Sequence, residues 1–413
     1  MLPTVPVQPI RLEDYREPAG DGAVDRLRAM AAPLVGARVL HLNSTAFGGG
    51  VAELLFTHVG ILQDLGIDVT WQTLEGSDDF FTVTKFVHNG LQGAEVPWTP
   101  EMADIYLDRV RANADEIDDG YDFVVVHDPQ PAAVLACKED GGMRRGRWVW
   151  RCHIDVSDPD AGVWQFFADY VNQYDAAVFT AEEYAQPNLT GPKLAFVPPS
   201  IDPLSPKNGP LEPATIDEVL HRYAIDRSRP TVTQVSRFDP WKDPIGVIDA
   251  FRLARAERPD LQLVMVGSMA HDDPEGWHYL QATQDHREND PDIHLLTNFQ
   301  EVGNLEVNAF QRAATVVLQK SIREGFGLTV SEALWKERPV IGGRAGGIKL
   351  QIEDGVSGFL VESVEECARR IVELAGDPDR RASMGRTGRE RVRERFLTTR
   401  QLEDELRLLG SLS

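Results

Sequence analysis

Two carboxylates and two cations carry the most specific chemical signal in this chain. Glu324 and Glu332 bracket the run EGFGLTVSE, where a short apolar stretch, Thr315–Leu318, gives way to a glycine turn and then to a helical pattern. A strand, a glycine turn and a helix start bring backbone N–H groups and the positive end of a helix dipole to the carboxyl edge of a sheet, a geometry that suits a phosphate. Carboxylates beside an anion site would repel the anion. They make sense if each grips hydroxyls on either side of it, a sugar at one end of a diphosphate and a ribose at the other. Arg237 and Lys242, in SRFDPWK, follow another apolar run, Thr231–Ser236. They suit a clamp on that diphosphate, Arg as a fork and Lys as a point charge. Ion pairs with Asp239 and Asp243 are the plainer reading, and at a surface such pairs contribute little.

A hydrolytic pair is the competing use of two glutamates. Eight helical rises span about 12 Å, whereas a retaining hydrolase holds its carboxyls about 5–5.5 Å apart and an inverting one about 6.5–9.5 Å. The spacing favours two ends of one long ligand. Elsewhere, Gly48-Gly49-Gly50 joins a strand to a helix and suits a tight turn as well as a ligand loop. The glycines are consecutive, so they do not form a dinucleotide fingerprint. His127-Asp128 and His153-Ile154-Asp155 each end a strand. A histidine there is a satisfied core residue or a catalyst, and periodicity does not choose between them.

The elements that must position these residues form two α/β halves. In the first half the expected strands are Arg38–Leu42, Asp68–Leu74, Asp122–His127, Trp148–His153, Ala176–Thr180 and Leu194–Val197. Expected helices are Asp21–Leu34, Val51–Gly66, Glu101–Ile117 and Val163–Tyr174. Residues 76–100 mix aromatics, charges and amides and read as an irregular binding loop or a packed insertion. The proline-dense stretch from Pro198 to Gly209 reads as a linker. Alternation then restarts with strands Thr231–Ser236, Leu261–Val266, Ile293–Leu296, Thr315–Leu318, Val340–Gly342 and Gly358–Leu360. Helices Ile245–Glu257, Leu305–Arg312, Val330–Lys336, Val364–Leu374 and Arg380–Phe396 intervene. The predicted domains are 1–200 and 201–394, with a last helix over 395–413 packing back on the first. Two Rossmann-like, doubly wound domains would hold a ligand in the cleft between them.

The 413 residues suffice for two such domains of ~200 residues. A net charge of −23 argues against nucleic acid or an anionic membrane as partner. It leaves monomer and homodimer both open. Three scattered cysteines make no disulfide framework or zinc spacing, and no run of ~18 apolar residues occurs. A cytoplasmic protein is expected.

EGFGLTVSE and SRFDPWK resemble the E-x7-E motif and the Arg/Lys pair of the retaining GT-B glycosyltransferases of the GT4 family. The blocks HLNSTAFGGGVAELL, FFTVTKFVHNGLQG, VHDPQPAA, WRCHIDVS, PPSIDPLSPKN and SIREGFGLTVSEALWK are similar to that family's trehalose-forming members. The resemblance implies that Glu324 holds the donor glucose and Glu332 the ribose. Arg237 and Lys242 would neutralise the diphosphate, and Gly49 and Gly50 would close over it. The turn Gly325-Phe326-Gly327-Leu328 would lie on the donor side, with Asn298 and the loop after Val266 near the base. His153 would stand beside the reacting sugar. Asp155 would orient it or touch the acceptor, and Lys85, Asn89, Gln92 and Asp128 would line the acceptor glucose. Implied substrates are UDP-, ADP- or GDP-glucose with glucose, the product is trehalose, and no motif fixes the base. Transfer with retention would need no protein nucleophile and no obligatory cofactor, with Mg²⁺ at most a stimulant. Asp272-Asp273 reads as a solvated turn before it reads as a metal loop. A trehalose phosphorylase of the same fold, or another GT4 sugar-nucleotide transferase, is the alternative, ahead of a sugar-nucleotide sensor or a dehydrogenase.

Overall fold

The computed structural model of the protein describes residues 1–47, 49–139, 145–269 and 274–413. Gly48 and Asp272-Asp273, singled out above, lie outside the described residues. The chain divides into two compact units. One is Met1–Ser200 with Thr398–Ser413, and the other is Ile201–Leu397.

The first unit is built on a parallel six-stranded sheet among the described residues, with spatial order β2-β1-β3-β4-β5-β6. Its strands are β1 (Arg38–Asn43), β2 (Asp68–Thr73), β3 (Phe123–His127), β4 (Arg147–Arg151), β5 (Ala176–Phe179) and β6 (Lys193–Phe196). The central strands are apolar on both faces, as a sheet covered by helices on each side requires. From β1 the chain steps outward to β2 and returns on the other side to β3. The switch point of this sheet therefore lies between β1 and β3, where open α/β sheets take their ligands.

The second sheet runs β12-β11-β10-β7-β8-β9. Its strands are β7 (Thr231–Val235), β8 (Gln262–Gly267), β9 (Ile293–Thr297), β10 (Val316–Gln319), β11 (Val340–Gly343) and β12 (Gly358–Val361). Numbered within the unit, this is the 3-2-1-4-5-6 order of the doubly wound fold, with the switch point between β7 and β10. Alternate residues of β8 feed two cores. Leu263 and Met265 pack with Phe251 and Ile371, whereas Val264 and Val266 pack with Leu220 and Phe310. That is the two-residue period of a strand buried on both faces.

Several stretches differ from the sequence reading, among them the helices Val134–Glu139 and Pro274–Arg287, which it left unassigned, and two more are instructive. Residues 76–100 are not an irregular loop: Asp78–Leu91 is an α-helix, N-capped by the Ser77 hydroxyl and burying Phe80, Val83, Val87 and Leu91 at three- and four-residue spacing. The exposed Lys85 and Phe86 between those positions obscured the stripe. Pro213–Arg222 is also helical, directly after the proline-dense segment. Proline at its first turn starts this helix instead of breaking it. The chain's last helix, Thr398–Gly410, belongs to the first unit, where Leu402, Leu406 and Leu409 join the core around Trp71 and Val125. Among the described residues, no helix is long and apolar enough to cross a membrane.

Candidate active site

At the switch point of the second sheet, the loops after β7 and β10 bring Lys242 and Glu324 together. The Lys242 ammonium donates to Glu324 Oε2 at 2.8 Å, and both side chains are largely enclosed. The same oxygen accepts from the Gln319 amide and the Ser321 hydroxyl, each at 3.1 Å. Three donors on one oxygen fix the carboxylate, and the Gln319 amide is held in turn by Thr329 at 2.8 Å. Lys242 is positioned from the other side. Asp239 caps its short turn by accepting the Lys242 N–H at 3.1 Å, and Gln234 donates to the Lys242 carbonyl at 3.2 Å. Asp243 does not pair with Lys242. It sits at φ +48° in the left-handed region, caps the helix Pro244–Glu257, and forms an ion pair with Lys320. A non-glycine residue in that region is strained and must be held there by its surroundings. Arg237 projects into solvent, its side chain 63% exposed, with Asp239 at 3.2 Å.

The turn Gly325-Phe326-Gly327 leads into the helix Leu328–Trp335. Gly327 has φ +81°, and a Cβ there would stand 3.1 Å from Glu324 Cγ. Glycine is thus required twice over, by its backbone angle and by the closeness of the carboxylate. Glu332 faces a different set of partners. Its side chain is 1% exposed and pairs with Lys207 at 3.3 Å, while the Gln311 amide donates to it at 3.4 Å. Lys336 joins this network through Gln311 and Asn208, at 2.7 and 2.9 Å. A lone carboxylate at that depth would be prohibitively costly, so Lys207 is the residue that permits it. Lys207 and Asn208 lie in the linker-like PPSIDPLSPKN run, and that composition hid them. The Asn298 side-chain amide both accepts from the Met269 N–H at 2.8 Å and donates to the Met269 carbonyl at 3.1 Å, tying the loop after β8 to the end of β9.

In the first unit, the strand ends near the switch point gather histidines. His153 Nε2 lies 3.0 Å from His127 Nδ1, and His127 Nε2 lies 3.0 Å from His41 Nδ1. Asp128, at φ +65°, accepts the His153 backbone N–H at 2.8 Å. Its carboxyl keeps some exposure, yet burial pushes it up to about 7 against the opposing pull of the His153 amide and Arg151. Burial likewise drives His153 and His127 well below the ordinary histidine value, with nearby positive charge adding to the effect. Lys85, Asn89 and Gln92 follow one another at four and three residues along the helix Asp78–Leu91 and its C-cap, and so share one face. Asp155 accepts from both the backbone and the hydroxyl of Ser157 in a tight turn. Gly49, at φ +86°, precedes the helix Gly50–Asp64 and has open space where a Cβ would project.

The model of the trehalose synthase N-terminal domain matches residues 41–186, and that of the group 1 glycosyl transferases matches residues 216–391. In overall fold the chain is similar to an α,α-trehalose-phosphate synthase (UDP-forming) from Burkholderia xenovorans. The TM-score is 0.73 at 14% identity, over 91% of this chain and 100% of that one. The fold and the matched models define a GT-B glycosyltransferase. Trehalose synthase of Thermococcus litoralis is 49% identical over 97% of both chains. A trehalose phosphorylase of Pleurotus pulmonarius is 29% identical over 84% of this chain and 54% of that one. The chain belongs to the trehalose synthase family.

Proposed function

We propose that this glycosyltransferase moves glucose from an NDP-glucose to free glucose, with retention at the anomeric carbon, forming α,α-trehalose reversibly. The observation that carries this reading is the Lys242–Glu324 pair at the switch point of the second sheet, in a chain of the trehalose synthase family. Glu324, held by three donors, is pre-oriented to accept hydrogen bonds from sugar hydroxyls. The Lys242 ammonium is poised to turn from that carboxylate to the diphosphate, with Arg237 free to swing in from solvent. Charge accumulates on the diphosphate as the glycosidic bond breaks, and a fixed cation there lowers the barrier most at that moment. A phosphate oxygen of the leaving group takes the proton of the attacking hydroxyl on the same face of the sugar, so no side chain serves as nucleophile. Glu332 would hold the ribose, and Lys85, Asn89, Gln92 and Asp128 the acceptor glucose. No cofactor is required in this scheme, and Mg²⁺ acts only as a stimulant.

The test is to supply UDP-, ADP- and GDP-glucose with either glucose or glucose 6-phosphate and to identify the products. The reading expects trehalose from glucose and at least one of the three donors. The phosphorylase relative makes a second reaction worth the same assay. Trehalose plus inorganic phosphate giving glucose 1-phosphate, with no nucleotide present, would replace this reading.

A further inference from the structure

The three histidines of the first unit do not end at His41. The His41 Nε2 edge lies 3.4 Å from Glu405 Oε1, and the other Glu405 oxygen lies 3.5 Å from His58 Nδ1, contacts of a carboxylate with ring edges that fall short of hydrogen-bond geometry. Glu405 comes from the last helix, Thr398–Gly410, far along the chain from every histidine it faces. The ring centroids are 5.3 Å apart at both histidine pairs, with planes only 26° and 17° from parallel. With the nitrogens 3.0 Å apart, the three rings run nearly edge to edge, as N–H···N bonds require.

A neutral imidazole has one N–H and one bare nitrogen, so the direction of such a chain is all or nothing. If Glu405 is ionised, its negative field favours a proton on His41 Nε2 over a bare lone pair there. His41 Nδ1 is then bare and accepts from His127 Nε2–H. His127 Nδ1 is bare in its turn and accepts from His153 Nε2–H. The reverse direction would set the lone pair of His41 Nε2 against a carboxylate. Burial works against a charge on Glu405, yet the His58 ring at one of its oxygens and the nearby Arg151 hold its carboxyl below the ordinary glutamate value. Burial also pulls His41 down to about 4, so the rings are neutral and the one-proton count holds at neutral pH. Orientation of a histidine by what its second nitrogen touches is the general device by which proteins choose a tautomer.

We propose that Glu405, acting through His41 and His127, fixes the proton of His153 on Nε2 and leaves Nδ1 as a bare hydrogen-bond acceptor for a sugar hydroxyl. Glu405, His41 and His127 are then positioning residues, and His153 meets its ligand only as an acceptor. The tautomer assignment stands on the chain alone, and only its effect on turnover rests on the transfer reaction proposed above.

Nitrogen-15 NMR of histidine-labelled protein reads the tautomers directly. In the native protein His41, His127 and His153 should each show a protonated Nε2 and a bare Nδ1. Glu405→Gln should mix or reverse the pattern and lower kcat about tenfold, with a smaller change in the donor KM, and Glu405→Asp should restore part of both. His41→Phe, which keeps the ring's bulk, should release the same choice at His153. Two results would overturn the proposal: a proton on His153 Nδ1 in the native protein, which needs no variant, or an unaltered pattern in folded Glu405→Gln. If the tautomers are as described but no NDP-glucose yields trehalose, the proposed reaction fails and the histidine chain stands.

Discussion

Lys242 has two anions to serve. Without ligand its ammonium is satisfied by Glu324 at 2.8 Å, and in the proposed reaction it must answer to a diphosphate instead. Removing it should leave the fold intact, because Glu324 keeps the Gln319 and Ser321 donors. Lys242→Ala should therefore lower kcat by about 10²–10³, the size associated with a lost transition-state charge contact, while the melting temperature moves by no more than a few degrees. Steady-state kinetics with a thermal melt decide it, and an unchanged kcat would remove the clamp from the mechanism. Glu332 behaves differently because it is buried against Lys207. Glu332→Ala should cost stability, about 3 kcal/mol by the usual penalty for breaking a buried pair. It should also raise the donor KM more than the acceptor KM. The opposite KM pattern would exchange the roles given to the two glutamates.

Strands were the most legible elements, since apolar runs between turn signals leave few other readings, and all of the expected strands lie within two residues of the observed ones. The helix Asp78–Leu91 was obscured because aromatics stand on its exposed face as well as its buried one. Pairings across the chain were beyond reach for a plainer reason. Nothing in the spacing of His41, His127 and His153 says that β1, β3 and β4 lie side by side, and only the sheet order puts their ends together. Glu405 and Lys207 were hidden in the same way, one in an ordinary amphipathic helix and the other among prolines. The last helix can be probed as an element. Leu406→Ala, in its buried stripe, should cost about 2–5 kcal/mol and should disturb the His153 tautomer through the neighbouring Glu405. A melt without the NMR change would separate packing from positioning. In the second unit, Gly327→Ala combines a positive φ with crowding against Glu324. It should lower turnover while leaving acceptor KM nearly unchanged, and wild-type kinetics in that variant would show that the turn tolerates movement.

The molecule as a whole carries a net charge of −23, so acid ought to relieve repulsion and stabilise it. The buried histidines oppose that. A histidine whose folded pKa lies below its unfolded value of 6.5 leaves the unfolded chain holding more protons, and stability is lost as pH falls from about 6.5 toward the folded value, about 4 for His41. His127 and His153 act in the same sense. Asp128, pushed up from 3.8 to about 7, acts in the opposite sense across that interval, but it is one group against four, since burial also lowers His294. The unfolding free energy should therefore fall by about 1–2 kcal/mol per unit between pH 6.5 and 5. Denaturant titrations across that range would show it, and a flat or rising profile would mean that the histidine cluster is charged or open to water.

The most direct test of the account remains the transfer itself. Purified protein, incubated with each of UDP-, ADP- and GDP-glucose and free glucose, is followed by proton NMR of the anomeric signals. α,α-Trehalose and an equal amount of nucleoside diphosphate are expected from at least one donor, and both should be lost in Lys242→Ala. No disaccharide from any of the three, together with glucose 1-phosphate from trehalose and inorganic phosphate, would contradict the proposed transfer.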